Sequence, residues 1–111
     1  MATLENVNVE EALALITAGA LLLDVREDAE WEAGHARDAL HVSLSEVPDH
    51  LDVLPKSRVV VCVCRSGARS ARAANYLLEQ GFEAVNLEGG MIAWHTDGAE
   101  IVADGADPTI I

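Results

Sequence analysis

The run Arg58-Val59-Val60-Val61-Cys62-Val63-Cys64 constrains the fold more than any other stretch of this chain. Its β-branched valines suit a pleated strand and lose rotamer freedom in a helix. Apolar character is nearly continuous rather than alternating. The strand it predicts is therefore covered on both faces, as in a parallel sheet flanked by helices. Arg65-Ser66-Gly67-Ala68 then forms a short loop, and a helical pattern runs from about Arg69 to Gln80. Ala71, Ala74, Leu77 and Leu78 supply its buried face, and Gly81 stops it. Such a strand delivers its last residue to the carboxyl edge of the sheet, where open α/β folds bind their ligands.

Similar units recur along the chain. Asn8 to Gly19 reads as a helix, with Asn8 and Glu11 spaced as a capping box. Leu21-Leu22-Leu23 runs into Asp24-Val25-Arg26 as a buried strand, and Glu27 to Ala33 reads as a short helix closed by Gly34-His35. Leu40 to Leu44 is a short strand. Ser45 to Leu54 looks helical in its first turns, where Pro48 is tolerated, and Pro55 ends it. Ala84 to Leu87 is a last strand, followed by Glu88-Gly89-Gly90 and a helix around Met91 to Trp94. The predicted fold is α/β: a mainly parallel central sheet of about five strands with helices on both faces. A length of 111 residues fits one domain over 1–111, with a core over about 8–95 and a loosely held tail over 97–111.

Net charge is −12, from 19 acidic and 7 basic residues. That balance argues against nucleic acid and anionic membranes as partners, since both need a basic footprint. The acidity raises solubility and also suits a high-salt environment. No apolar run approaches the ~20 residues of a membrane span. The start, Met1-Ala2-Thr3-Leu4-Glu5, lacks the features of a signal peptide. Two cysteines two positions apart build no disulfide framework, so the expected compartment is the cytoplasm. No exposed apolar stripe stands out, which predicts a monomer. The charge is unevenly placed: Lys56 to Leu78 carries +5, and the remaining residues carry −17. A positive island in an acidic protein is a candidate anion site.

Cys64 stands at the centre of that island. Free backbone N–H groups and the positive end of a helix dipole converge on the loop after it. Gly67 lets the loop turn tightly, and Arg65 and Arg69 add full charges. A thiol in this setting titrates low, so Cys64 is expected to be a thiolate at neutral pH. Cys62, between two valines, reads as a small buried apolar residue. A Cys62–Cys64 disulfide would be strained inside a strand.

Spacing distinguishes two nucleophilic chemistries. Cysteine phosphatases with such a cradle place an Arg six positions after the Cys. Here that position is Ser70, and the Arg comes one earlier, at Arg69. The shorter loop suits a sulfur atom on the cysteine better than a tetrahedral oxyanion.

Three segments together resemble a single-domain rhodanese, a sulfurtransferase. They are Leu22-Leu23-Asp24-Val25-Arg26-Glu27 with Trp31 and Gly34-His35, Cys64 to Ser70, and Asn86-Leu87-Glu88-Gly89-Gly90-Met91 with Ala93-Trp94. The likeness spans about Asn8 to Trp94. It implies that Cys64 is the catalytic nucleophile and takes a sulfur from a donor such as thiosulfate, releasing sulfite. The persulfide would be cradled by Arg65, Ser66, Gly67, Ala68, Arg69 and Ser70. A thiol or cyanide would then accept the sulfur. Arg65 and Arg69 match substrate-binding positions. Ser70 would donate a hydrogen bond to the persulfide or cap the helix. No metal or organic cofactor is implied. One departure is Ala36-Arg37-Asp38-Ala39, where the family usually has a Pro-Gly turn.

Other readings stay open: a relay protein exchanging sulfur with a protein donor or acceptor, a phosphatase or arsenate reductase, and a non-catalytic binding module. Asp24 and Arg26 either brace the active loop or form a fold-stabilising ion pair. His35 reads as a packing residue, because a pre-ionised thiolate needs no base. His41, His50 and His95 have no ligand spacing. Gly89-Gly90 allows close backbone approach beside the loop, and Trp31 and Trp94 read as core.

Overall fold

A computed structural model describes residues 3–105 and 107–111. Met1 and Ala2, part of the start read above for a signal peptide, lie outside the described residues. Among the described residues five strands form one sheet: β1 (Glu5–Val7), β2 (Leu21–Asp24), β3 (Leu40–His41), β4 (Val60–Val63) and β5 (Ala84–Leu87). Their order is β1-β5-β4-β2-β3, and every neighbouring pair is parallel. The valine run is the central strand, as its unbroken apolar character requires.

Alternation along β4 divides the core. Val60, Cys62 and Cys64 face one layer, with Ala73, Ala74 and Leu77 of helix α3 (Ala68–Glu79) and Val47. Val61 and Val63 face the other, with Val9 and Ala12 of α1 (Val9–Thr17) and Met91 and Trp94 of α4 (Gly90–Thr96). The capping box at α1 forms as read. Asn8 Oδ1 accepts from the Glu11 N–H at 2.8 Å, and Glu11 Oε1 accepts from the Asn8 N–H at 3.0 Å. Helix α2 (Asp28–Ala33) buries no residue fully and caps the carboxyl side of β2. Among the described residues no helix is long and apolar enough to cross a membrane.

Four readings change. β1 has no counterpart in the sequence reading; only its Val7 is buried, so a three-residue edge strand leaves no periodic signal. The strand expected over Leu40 to Leu44 is paired only at Leu40–His41. The helix expected from Ser45 is a 3-10 segment over Leu44–Val53, broken at His50 (φ −124°, ψ 21°). Pro48 offers no N–H and favours this tighter, interrupted winding. Trp31 is half-buried rather than core, and stacks on His35 at 3.6 Å and His41 at 4.8 Å between ring centres.

The tail is also held more firmly than its composition suggests. His35 and Val102 exchange backbone hydrogen bonds of 3.0 and 2.8 Å, and the Thr109 N–H donates to Ala33 O at 2.9 Å. Trp94 Nε1 donates to Glu100 O at 2.8 Å. Ile101 and Ile110 pack on the α1/α4 layer. Gly34 makes room for this return, because a Cβ there would run into the Thr109 backbone.

Candidate active site

Cys64 is the first residue past β4, and four residues later, at Ala68, the chain enters α3. Gly67 makes that turn at φ +113°, a left-handed value that costs glycine little. The turn aims its N–H back at the cysteine, 3.1 Å from Sγ. The Ser70 hydroxyl lies 3.3 Å from the same sulfur. Cys64 is only 1% exposed and Ser70 is fully buried, whereas Arg65, Ser66 and Ala68 are exposed. The loop thus forms a cup of backbone donors with the sulfur at its floor.

The electrostatics of that sulfur are a contest. Burial pushes the Cys64 thiol up. The Ser70 hydroxyl and the backbone N–H groups of Ser70, Gly67 and Ser66 outweigh burial and hold the thiol below its ordinary range. Hydrogen bonding to the charged form, rather than the arginines invoked from the sequence, accounts for the shift. Cys62, one pleat earlier, has no such donors, and burial with the neighbouring Cys64 charge pushes it up to about 12. Both cysteines are free. Two thiols two positions apart thus shift in opposite directions.

Loop position depends on α4. The Met91 N–H donates to Cys64 O at 2.8 Å, and the Ile92 N–H donates to Arg65 O at 3.1 Å. This contact needs the glycine at position 90. Its φ is +58°, and a Cβ would land on the carbonyl oxygens of Cys64 and Arg65. The close approach expected of Gly89-Gly90 is therefore made by Gly90.

Arg65 and Arg69 each bond a partner within the chain. Arg69 grips Glu30 of α2 through Nη1–Oε1 at 2.7 Å and Nη2–Oε2 at 2.8 Å. That hydrogen bond holds the Glu30 carboxyl down at about 2 against the opposing effect of burial. Arg65 Nε donates to Ile111 O at 2.9 Å. Each of the two arginines expected to bind an anion thus has a partner within the chain. Ser70 does not cap α3 either: it lies inside the helix, and Gly67 is the N-cap. A cleft of about 450 Å³ lies beside the loop between the 3-10 segment and α3, with Arg69, Arg72, Tyr76, Leu44 and Val47 in its walls.

Asp24 and Arg26 form a fully buried pair, with Arg26 Nη2–Asp24 Oδ2 at 2.8 Å. Arg26 Nη2 also donates to Gly34 O at 2.7 Å, and Nη1 to Glu30 O at 3.3 Å. The pair therefore ties α2 to the sheet and meets Glu30, the partner of Arg69. His35 Nδ1 lies 2.7 Å from Trp31 O, a packing role as read. Two site residues carried no role in the sequence reading. Glu30 had no spacing signal, since it meets Arg69 across 39 positions. Asn86 stood in a quoted motif without an assigned function; its Oδ1 lies 2.6 Å from the Ser70 hydroxyl.

Comparison with known proteins agrees with this geometry. Residues 8–97 match the rhodanese-like domain, and the chain belongs to that family. The "Putative sulfurtransferase YtwF" of Bacillus subtilis is 47% identical over 73 residues, covering 66% of this chain and 71% of that protein. A "Sulfurtransferase" of Allochromatium vinosum is 47% identical over 88 residues, covering 78% of this chain and 82% of that one. Among solved structures, a rhodanese-related protein from Thermoplasma volcanium superposes with a TM-score of 0.83 at 28% identity. That match covers 88% of this chain and 97% of the other.

Proposed function

We propose that this protein is a sulfurtransferase that carries sulfane sulfur on Cys64. The Cys64 thiolate attacks the outer sulfur of thiosulfate or a similar anionic donor. A new S–S bond forms, the donor's S–S bond breaks, and sulfite leaves with the bonding electron pair. A thiol, as its thiolate, or cyanide then attacks the outer sulfur of the persulfide, and Cys64 departs again as thiolate. The observation that carries this reading is the cup itself, with the Gly67 N–H 3.1 Å from Sγ. Such donors stabilise a thiolate before reaction and a terminal sulfur anion after it. The names of the two curated relatives support the same class.

With Arg65 and Arg69 engaged, backbone N–H groups are the first grip on the donor, and the cleft beside Arg69 is the route for the acceptor. The reaction takes place in the cytoplasm on a monomer, with no metal or organic cofactor. Double displacement requires ping-pong kinetics. Initial rates with thiosulfate and cyanide should give parallel double-reciprocal lines; intersecting lines would oppose the mechanism.

A second reading is favoured by charge. The −17 outside the basic island suits docking to a basic protein that donates or receives the sulfur. Slow turnover of thiosulfate, with rapid and salt-sensitive uptake from a protein persulfide, would select this relay.

A further inference from the structure

Ser70 has one hydroxyl proton and three acceptors around it. Asn86 Oδ1 is at 2.6 Å, Cys64 Sγ at 3.3 Å and Gly67 O at 3.3 Å. The orientation of the Asn86 amide decides how they compete. Asn86 Nδ2 lies 3.2 Å from Gly67 O, a backbone carbonyl that can only accept. It also lies 3.0 Å from Asn6 Oδ1 on β1. The amino group must face those two, so Asn86 turns its carbonyl oxygen towards Ser70. A carbonyl oxygen donates nothing. A contact of 2.6 Å therefore requires the Ser70 proton to lie on the Asn86 side.

We propose that Asn86 is a positioning residue that draws the Ser70 hydroxyl proton away from Cys64, so that the sulfur receives this donor only when its negative charge outcompetes the Asn86 carbonyl. Gly67 and the other backbone donors are fixed, whereas the Ser70 donor is rationed. In the resting thiol the Ser70 oxygen faces the sulfur as an acceptor. When Cys64 becomes a thiolate, or carries a charged terminal sulfur, rotation about the Ser70 Cβ–Oγ bond hands it the proton. Asn86 thereby sets how easily the sulfur holds charge, without touching it. Asn6 supports the arrangement from the sheet edge by holding the Asn86 amino group.

The other groups acting on this sulfur are Arg69 of α3, itself paired with Glu30 of α2, and Cys62 of β4. Arg65 is adjacent in the loop. None of them hydrogen-bonds the Asn86 amide, although Cys62 is its register partner on β4. The inference rests on Cys64 as the reactive sulfur, but its readout needs no sulfur transfer.

The experiment measures the pH dependence of iodoacetamide alkylation of Cys64, followed by peptide mass. The proteins are wild type, Asn86→Leu, Ser70→Ala and the double variant. Leu approximates the shape of Asn and removes the competing acceptor. Asn86→Leu should lower the apparent pKa by about half to one unit, raising the rate on the acid side about 3- to 10-fold. In the Ser70→Ala background the same change should have no effect, a silence that a merely structural role for Asn86 would not produce. An unchanged or raised pKa in Asn86→Leu, or a fall that persists without Ser70, overturns the proposal. Should Asn86→Leu fail to fold, Asn6→Ala decides the matter. Asn6 is exposed, and its loss loosens the amide, giving a smaller fall of the same sign; no change or a rise overturns the proposal. Sulfur loading from thiosulfate, assayed on the same samples, separates the two ideas. Loss of loading with the alkylation pattern intact sinks the functional reading and leaves this one standing.

Discussion

Arg69 and Glu30 form a two-pronged ion pair, at 2.7 and 2.8 Å, that pins the first turn of α3 to α2. The pair gives acid sensitivity a location. Glu30 falls from an ordinary 4.5 to about 2 in the folded protein. A depressed carboxylate contributes stability that is fully present above its unfolded pKa and is lost as pH falls through the folded one. The contribution should therefore hold above about 4.5 and fade towards about 2. Glu30→Gln should cost about 1–2 kcal/mol at neutral pH, discounted for the partial exposure of Arg69. It should also flatten the acid limb of the stability curve. Urea unfolding from pH 7 to pH 2 checks this; parallel curves for the two proteins would refute it.

The buried Asp24–Arg26 pair should be the most sensitive polar element of the fold. Removing one partner leaves a charge without compensation in a dry site, at a cost of about 3–5 kcal/mol. Asp24→Asn and Arg26→Met should each approach that loss in urea unfolding. Losses under about 1 kcal/mol would mean that the pair is solvated or dispensable.

Gly90→Ala should disable the loop rather than the thiol. A methyl group there collides with the carbonyls of Cys64 and Arg65 in a left-handed backbone. The expected cost exceeds about 2 kcal/mol, with loss of sulfur transfer in whatever fraction still folds. Gly98→Ala is the control, because it has a left-handed φ of +83° but open space around it. Equal effects at both positions would show that backbone strain, not the collision, dominates.

The two cysteines should separate by titration. Cys64 is held below the ordinary thiol range by its donors, and Cys62 is raised to about 12. Because the thiolate is the reacting form, a lowered pKa means that Cys64 stays reactive as pH falls below the usual ~8.5. Iodoacetamide at pH 7 should label Cys64 and spare Cys62, as peptide mass will reveal. Labelling of both at similar rates would contradict the assignment.

Legibility in the sequence followed physical range. The valine run, the capping box at Asn8 and Glu11, and the strand-loop-helix at Cys64 are local, so residue spacing displays them directly. β1 is three residues at a sheet edge with one buried side chain, and too short to show a period. The 3-10 segment shares helical composition with an α-helix, and only the missing Pro48 donor distinguishes it. Glu30 and Asn86 reach their partners across 39 and 16 positions, so only the folded chain joins them to the site. The tail looked loose because its composition carries no period. Its anchors are backbone hydrogen bonds, which composition does not record.

The most direct test is intact mass. The reduced protein is incubated with thiosulfate and weighed, alongside Cys64→Ser and Cys62→Ser. Wild type and Cys62→Ser should each gain one sulfur, about 32 Da, that cyanide removes, and Cys64→Ser should gain none. A removable sulfur adduct that survives in Cys64→Ser, or no adduct on wild type with either thiosulfate or a persulfide donor, would contradict sulfur transfer through Cys64.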